Sequence, residues 1–393
     1  MKLVFLNRLF VYIIFIFIGL NIKLFSGLYI YNFLIFIYLF INYNKLTFNK
    51  ELLNITIFIV IANLIPIMIQ TILLGVEFSV SSIYILLNYA LFLSFILFIK
   101  LIDFSKLNYY LIVSYIFLPI ILSILMFLNS SIENFFLNFY HIEKYPAFGR
   151  YGGVFGKDVN ALGIYASLAF LFTMILKRLQ LINIRFSILL IFISLLAVLL
   201  SGMRTGVLVF FSGILLFHNK LKIINYKYLF LFIVSSIFLV TFIYLFNDTA
   251  RELIDFLLKR FSPSYLVQSA GIGNTDHSNL QTAIAYFHRT IGDREITIYN
   301  ILFGIDSKMM FVDNFYIFSF IKYGALFVLT LILFGIYLMI KSIIKKDIII
   351  SFFILVTFII AIKGIFIINN VYMFLVVFII YLWRNYENTY SRR

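Results

Sequence analysis

Residues 109–128 read YYLIVSYIFLPIILSILMFL, twenty positions without one charged side chain. A helix rising about 1.5 Å per residue carries such a stretch across about 30 Å, the thickness of a bilayer's hydrocarbon core. The stretch therefore predicts a transmembrane helix. The rest of the chain agrees: of 393 residues 64% are apolar and only 12% are charged, with a mean hydropathy of +1.08. A soluble domain would carry about 25% charge. A soluble globule is excluded, and residues 1–393 read as a single integral membrane domain. Cysteine is absent, so neither disulfides nor cysteine-held metal would support segments outside the bilayer. The first apolar stretch runs straight into a second, which predicts a retained helix instead of a cleaved signal peptide.

Working outward from 109–128, apolar runs predict an all-α polytopic fold with twelve spans. They lie near 4–21, 26–42, 52–74, 82–100, 109–128, 159–176, 186–201, 205–218, 228–246, 315–340, 348–362 and 365–383. One alternating set of connections holds most of the cations, among them Lys45 and Lys50, Lys100 and Lys106, Lys177, Arg178 and Arg185, and Lys341, Lys345 and Lys346. The short connections of the opposite set hold only Lys23, Arg204 and Lys363. By the positive-inside rule this asymmetry puts both termini in the cytoplasm. The net charge of +15 is then mainly a topology signal, and no nucleic-acid partner is expected.

Two polar islands, 129–158 and 247–315, interrupt the apolar pattern and fall on the cation-poor side as long extracytoplasmic loops. The first holds Lys144, Arg150 and Lys157, and the second holds Arg251, Lys259, Arg260, Arg289, Arg294 and Lys308. Mixed charge also keeps a loop soluble, so a cation there has no function by default. Thr249 with Glu252 forms a capping box ahead of Leu253, Phe256, Leu257 and Phe261, which predicts an amphipathic helix on the outer leaflet, ending at Ser262 and Pro263. Aromatic residues make up 20% of the chain; most are expected to face lipid or the interface, and none is assigned to a sugar subsite.

Three groups of residues carry a resemblance. Gly149-Arg150-Tyr151-Gly152-Gly153-Val154-Phe155-Gly156, with Asn160 and Gly163 opening a helix, resembles the pattern after the fifth helix in O-antigen polymerases (Wzy type) and O-antigen ligases. Leu200-Ser201-Gly202-Met203-Arg204-Thr205-Gly206 is similar to the Ser-x-x-Arg-x-Gly turn of that superfamily. Asn300-Ile301-Leu302-Phe303-Gly304, then Asp313-Asn314-Phe315-Tyr316 and Gly324, resembles its closing signature. Ligases usually show His-Asn where this chain has Asp313-Asn314, a departure that favours the polymerase. The resemblance implies a bacterial cytoplasmic-membrane glycosyltransferase of polysaccharide, lipopolysaccharide or capsule biosynthesis, working on the extracytoplasmic side. Its donor and acceptor would be undecaprenyl-pyrophosphate-linked glycans, with membrane lipids around it and a chain-length regulator as a possible partner.

Breaking a sugar–pyrophosphate bond develops negative charge that a metal or fixed cations must meet. Neither island offers a metal-binding cluster, so no metal and no cofactor is expected, and arginine's planar fork is the alternative. Arg150, Arg204, Arg289 and Arg294 are the candidates for pyrophosphate. Arg204 stands out, because a charge between two apolar helices calls for a partner, although an interfacial position or a protein carboxylate would also serve. Asp313 is the candidate base for an acceptor hydroxyl, with Tyr316 three residues on to orient it; a helix cap is its plainer role. His288 is a rival base, Asn160 a helix cap or sugar ligand, and Asn314 a further candidate. A ligase-type glycan transferase and a lipid-linked oligosaccharide flippase remain the alternatives. For transport the relevant residues would be polar groups inside the spans, namely Asn63, Pro66 and Gln70 with Lys322, and Lys363 near a span end.

Overall fold

The computed structural model describes residues 2–20, 22–25, 28–47, 50–73, 84–104, 107–139, 153–155, 159–201, 204–219, 298–304, 315–345, 347–363 and 370–390. Numbered over these residues, the helices are α1 (Lys2–Leu20), α2 (Ile30–Ile41), α3 (Lys50–Leu73), α4 (Tyr84–Leu101), α5 (Tyr109–Leu128), α6 (Ser130–Phe139), α7 (Val159–Arg178), α8 (Ile184–Ser201) and α9 (Arg204–Asn219). After these come α10 (Ile298–Phe303), α11 (Phe315–Ile344), α12 (Ile348–Lys363) and α13 (Asn370–Tyr390). Each expected span has a helix, except 228–246, which lies outside the described residues together with the amphipathic helix expected after Thr249. Among the described residues, four helical stretches are long and apolar enough to cross a membrane: Tyr109–Leu128, Ala161–Arg178, Ile184–Ser201 and Ser319–Ile344. The fold is that of an all-α membrane protein.

Of the differences from the hydropathy reading, three have a local cause. The second span was expected from residue 26, but Lys23–Phe25 pairs antiparallel with Leu28–Tyr29 as a short ribbon (β1 and β2), and α2 starts only at Ile30. Gly27 sits in that stretch, and glycine costs a helix interior about 1 kcal/mol against alanine. The first polar island opens with a helix, α6. Asn129 ends α5 and starts α6 in one step: its backbone N–H donates to Leu125 O, while its side-chain oxygen accepts from Ser131 and Ile132 N–H. Finally, α13 continues to Tyr390, because its polar end Arg384-Asn385-Tyr386-Glu387 leaves the apolar pattern without leaving helical conformation.

The chain forms two compact units, Met1–Leu107 with Leu280–Arg393, and Asn108–Asn279. In the first, α1, α2, α4 and α13 share an aromatic core. Phe15 stands 5.7 Å from the rings of both Phe374 and Phe378, Phe95 packs edge-on to Phe374 at 5.5 Å, and Tyr38 meets Phe98 at 5.2 Å. In the same unit α3 packs on α11 through Ile67, Tyr323 and Phe327. The outer row of α11, Leu326, Leu329, Leu333, Ile336 and Ile340, is exposed at helical spacing, as suits a face turned to lipid.

The second unit is built around α7, which is buried without interruption from Ala161 to Leu176. Its neighbours α8 and α9 run down and back, so α7 and α9 are parallel. The contacts keep that order: Gly163 faces Gly206, Phe170 meets the Phe210 ring at 4.1 Å, and Leu171 faces Gly213.

Candidate functional site

In the second unit, the first two motifs meet. The Gly149–Gly163 motif contributes a 3-10 turn, Gly153–Phe155, and the opening of α7. Ser123 of α5 fastens that turn by accepting from the Val154 N–H at 3.2 Å while donating to Pro119 O at 2.7 Å. Gly153 is held so close to Ser123 that a Cβ there would overlap the serine side chain. Phe155 then packs on Tyr165 at 5.4 Å, and the buried Tyr165 hydroxyl donates to Ile116 O on α5 at 2.8 Å. That carbonyl follows Tyr115, whose own carbonyl is the one Pro119 cannot serve because proline lacks the N–H.

The Ser-x-x-Arg-x-Gly motif arrives at the same corner. Ser201 closes α8 and donates to Val198 O of its own helix, and α9 begins at Arg204. A Cβ on Gly206 would stand 2.9 Å from Gly163 O, so the two helices touch backbone to backbone. Ser167 closes the crossing: its hydroxyl lies 2.8 Å from both Gly163 O and Gly206 O and shares its proton between them. Asn160 is the second residue of α7 and precedes Gly163 by three positions; Arg204 is the first residue of α9 and precedes Gly206 by two. On parallel helices in contact at those glycines, both stand at the same level. Asn160 thus lies inside the helix and not at its cap. Two helix N-termini stand side by side, and their aligned peptide dipoles favour negative charge there.

In the first unit, the closing signature builds a clasp. The Gly304 N–H donates to Asn300 O at 2.9 Å and the residue turns left-handed at φ 83, ending α10 as a glycine cap. Gly324 breaks α11 with φ 84 and ψ 175. The two glycines lie against each other's strands of backbone: a Cβ on Gly304 would come 2.6 Å from Lys322 O, and one on Gly324 would strike Leu302 O. Gln70 of α3, only 2% exposed, locks the pair by donating from Nε2 to Phe303 O and, at 2.8 Å, to Lys322 O. Tyr316 is the second residue of α11.

Of the residues singled out in the sequence, Asn160 and Arg204 open the two helices that touch at Gly163 and Gly206, and Tyr316 lies in the other unit. Arg150, His288, Arg289, Arg294, Asp313 and Asn314 lie outside the described residues. Among the described residues no three histidine, cysteine or acidic side chains gather as a metal would require. Ser123 and Ser167 were not singled out in the sequence, and Gln70 was singled out only as a polar group that transport would use. Ser167 had a signal in its small-x-x-x-small spacing from Gly163, and Gln70 in being an amide within an apolar span. No protein-family model, curated protein or solved structure matches the chain.

Proposed function

We propose that this protein is a polysaccharide polymerase with twelve spans and cytoplasmic termini. It joins oligosaccharide repeat units carried on undecaprenyl pyrophosphate at the outer face of the bacterial cytoplasmic membrane, in O-antigen or capsule synthesis. The bond between the growing glycan's anomeric carbon and pyrophosphate breaks, and the acceptor hydroxyl oxygen bonds to that carbon. Asp313 takes the hydroxyl proton, Tyr316 orients the acceptor, and the departing pyrophosphate keeps the bonding electrons and is held by Arg150 and Arg204 with Arg289 or Arg294.

The observation that carries this reading is the corner where Gly163 meets Gly206. Two motifs that each include an arginine in sequence converge there at neighbouring helix N-termini, and positive helix ends together with cations are what a leaving diphosphate needs. The test is complementation of a polymerase-null strain. Wild type restores long-chain surface glycan, whereas Arg150→Ala and Arg204→Ala, expressed at normal levels, leave a single repeat unit. Long glycan from both variants removes the arginines from the site. One observation favours a second reading, a flippase: transporters use broken helices with polar residues inside spans, and α11 breaks at Gly324 beside Lys322. Restoration of lipid-linked substrate flipping in a flippase-null strain, without polymerisation, selects that reading.

A further inference from the structure

We propose that α6 is an interfacial helix that inserts Phe135 and Phe139 into the lipid leaflet at the C-terminal end of α5, taking acyl chains as its partner without regard to head-group charge. This surface does not depend on which reaction the protein performs. Three observations carry it.

The first is where the chain puts α6. The preceding helix, α5, is long and apolar enough to cross a membrane. No linker separates the two, because Asn129 makes the last helical bond of α5 and caps α6 with its side chain. A helix that begins where a span ends starts at the level where hydrocarbon gives way to head groups. The protein also holds it there from the other side: α6 lies against the Gly153–Phe155 turn, which Ser123 of α5 fastens.

The second is how α6 divides around its axis. At about 100° per residue, Ile132, Glu133, Phe136 and Leu137 fall on one side, where they are buried or half-buried. Ser131, Asn134 and Asn138 fall on another and are exposed. Between these arcs stand Phe135 and Phe139, 63% and 53% exposed, with their rings stacked at 6.3 Å. A helix on a soluble domain needs two faces, one packed and one polar. A third, aromatic face is what a helix lying in the membrane plane requires, with protein, water and lipid each on one side.

The third is continuity and charge. Leu125 and Leu128 at the end of α5 are exposed, while Ser123 and Met126 between them and the core are buried, so the lipid-facing row of the span reaches its last residue. Phe135 follows Leu128 by seven positions, and the same leaflet covers both. The helix carries no Lys or Arg, and Glu133, its one charged residue, is on the packed side. Attraction to anionic head groups therefore contributes nothing, and insertion of the rings about 5–10 Å into the head-group and acyl boundary supplies the binding. Through its contact with the Gly153–Phe155 turn, α6 then sets the height at which the first motif stands above the lipid.

The test is a nitroxide scan of the full-length protein in phosphatidylcholine nanodiscs. The chain has no cysteine, so Asn134→Cys, Phe135→Cys, Asn138→Cys and Phe139→Cys each place a single label. Power saturation reads collisions with oxygen, which concentrates in lipid, and with a nickel chelate, which stays in water. Labels replacing Phe135 and Phe139 should favour oxygen severalfold over nickel, and labels replacing Asn134 and Asn138 should do the reverse. Neither pattern should change when anionic phosphatidylglycerol is added or salt is raised. Nickel-dominated collisions at Phe135 and Phe139 overturn the insertion and make α6 an aqueous helix. Labels there sheltered from both reagents overturn lipid as the partner and select a second copy of the chain. An insertion that strengthens with phosphatidylglycerol and weakens with salt overturns the acyl-chain assignment. If Phe135→Cys does not fold, Phe135→Trp decides, read against the baseline of Trp383, the one native tryptophan. Its fluorescence should be quenched by brominated phosphatidylcholine, and quenching by aqueous acrylamide alone overturns the proposal.

Discussion

The crossing at Gly163 and Gly206 and the clasp at Gly304 and Gly324 both press backbone against backbone, yet they ask different things of glycine. At the crossing two continuous helices lie side by side, and Gly206 is needed only for room, with Gly163 O 2.9 Å from where its Cβ would sit. At the clasp both glycines hold positive φ, 83 and 84, and also lack room. The bridging groups differ in the same sense. A serine hydroxyl shares one proton between two carbonyls at the crossing, whereas a glutamine amide donates to two carbonyls at the clasp. Motif glycines that look alike in sequence therefore carry unequal shares of stability.

The largest effect belongs to Gly324→Ala. With φ 84 and ψ 175, it forces a side chain into a region that costs about 1–3 kcal/mol by itself, and the new Cβ also strikes Leu302 O. Purified protein should be depleted and its folded fraction lost in size-exclusion chromatography. A monodisperse variant melting with wild type would erase the distinction between the two contacts. Gln70→Leu comes next, since it leaves the Phe303 and Lys322 carbonyls without their amide donor, at about 1–3 kcal/mol for each group left unmet. Its melting temperature in detergent should fall clearly below wild type, and an unchanged melt would show that the amide does not hold the clasp.

Much of this architecture was legible from charge and hydropathy because the bilayer imposes one rule: a long uncharged run becomes a helix. Residues 109–128 are an example, reproduced at both ends by α5. The rule fails where polar residues remain helical. Ser130–Phe139 was read as loop because Ser130, Ser131, Glu133, Asn134 and Asn138 break the apolar run. Nevertheless Ile132, Phe135, Phe136 and Phe139 recur at helical spacing behind the Asn129 cap, so the period carried the signal that average polarity hid. The site was legible to a lesser degree. The pairing of Gly163 with Gly206 needs the parallel course of α7 and α9, and the pairing of Gln70 with residues 303 and 322 spans more than two hundred positions. No local pattern encodes either partner.

Gly206→Ala tests the crossing without any conformational cost. The helix backbones must shift apart to admit the methyl group, an overpacking cost of about 1–3 kcal/mol. The variant should stay folded and melt modestly below wild type, above Gly324→Ala. A loss as large as that of Gly324→Ala would mean that room, and not φ, sets the cost at both places.

The smallest effect, Ser167→Ala, is the most diagnostic. The hydroxyl lies equally near Gly163 O, in its own helix, and Gly206 O, in the neighbour. Gly163 O is the carbonyl one turn back, so only the share of the proton given to Gly206 O ties α7 to α9. Interhelical hydrogen bonds in membrane proteins average about 0.6 kcal/mol, and the melting shift should be correspondingly slight. The informative measurement is the double-mutant cycle with Gly206→Ala. Once the alanine methyl has pushed the helices apart, the hydroxyl no longer reaches Gly206 O, and removing it then should cost less than it does in wild type. Strict additivity would mean that Ser167 serves its own helix alone, leaving bare van der Waals contact between glycines to hold the corner where the two arginine motifs converge.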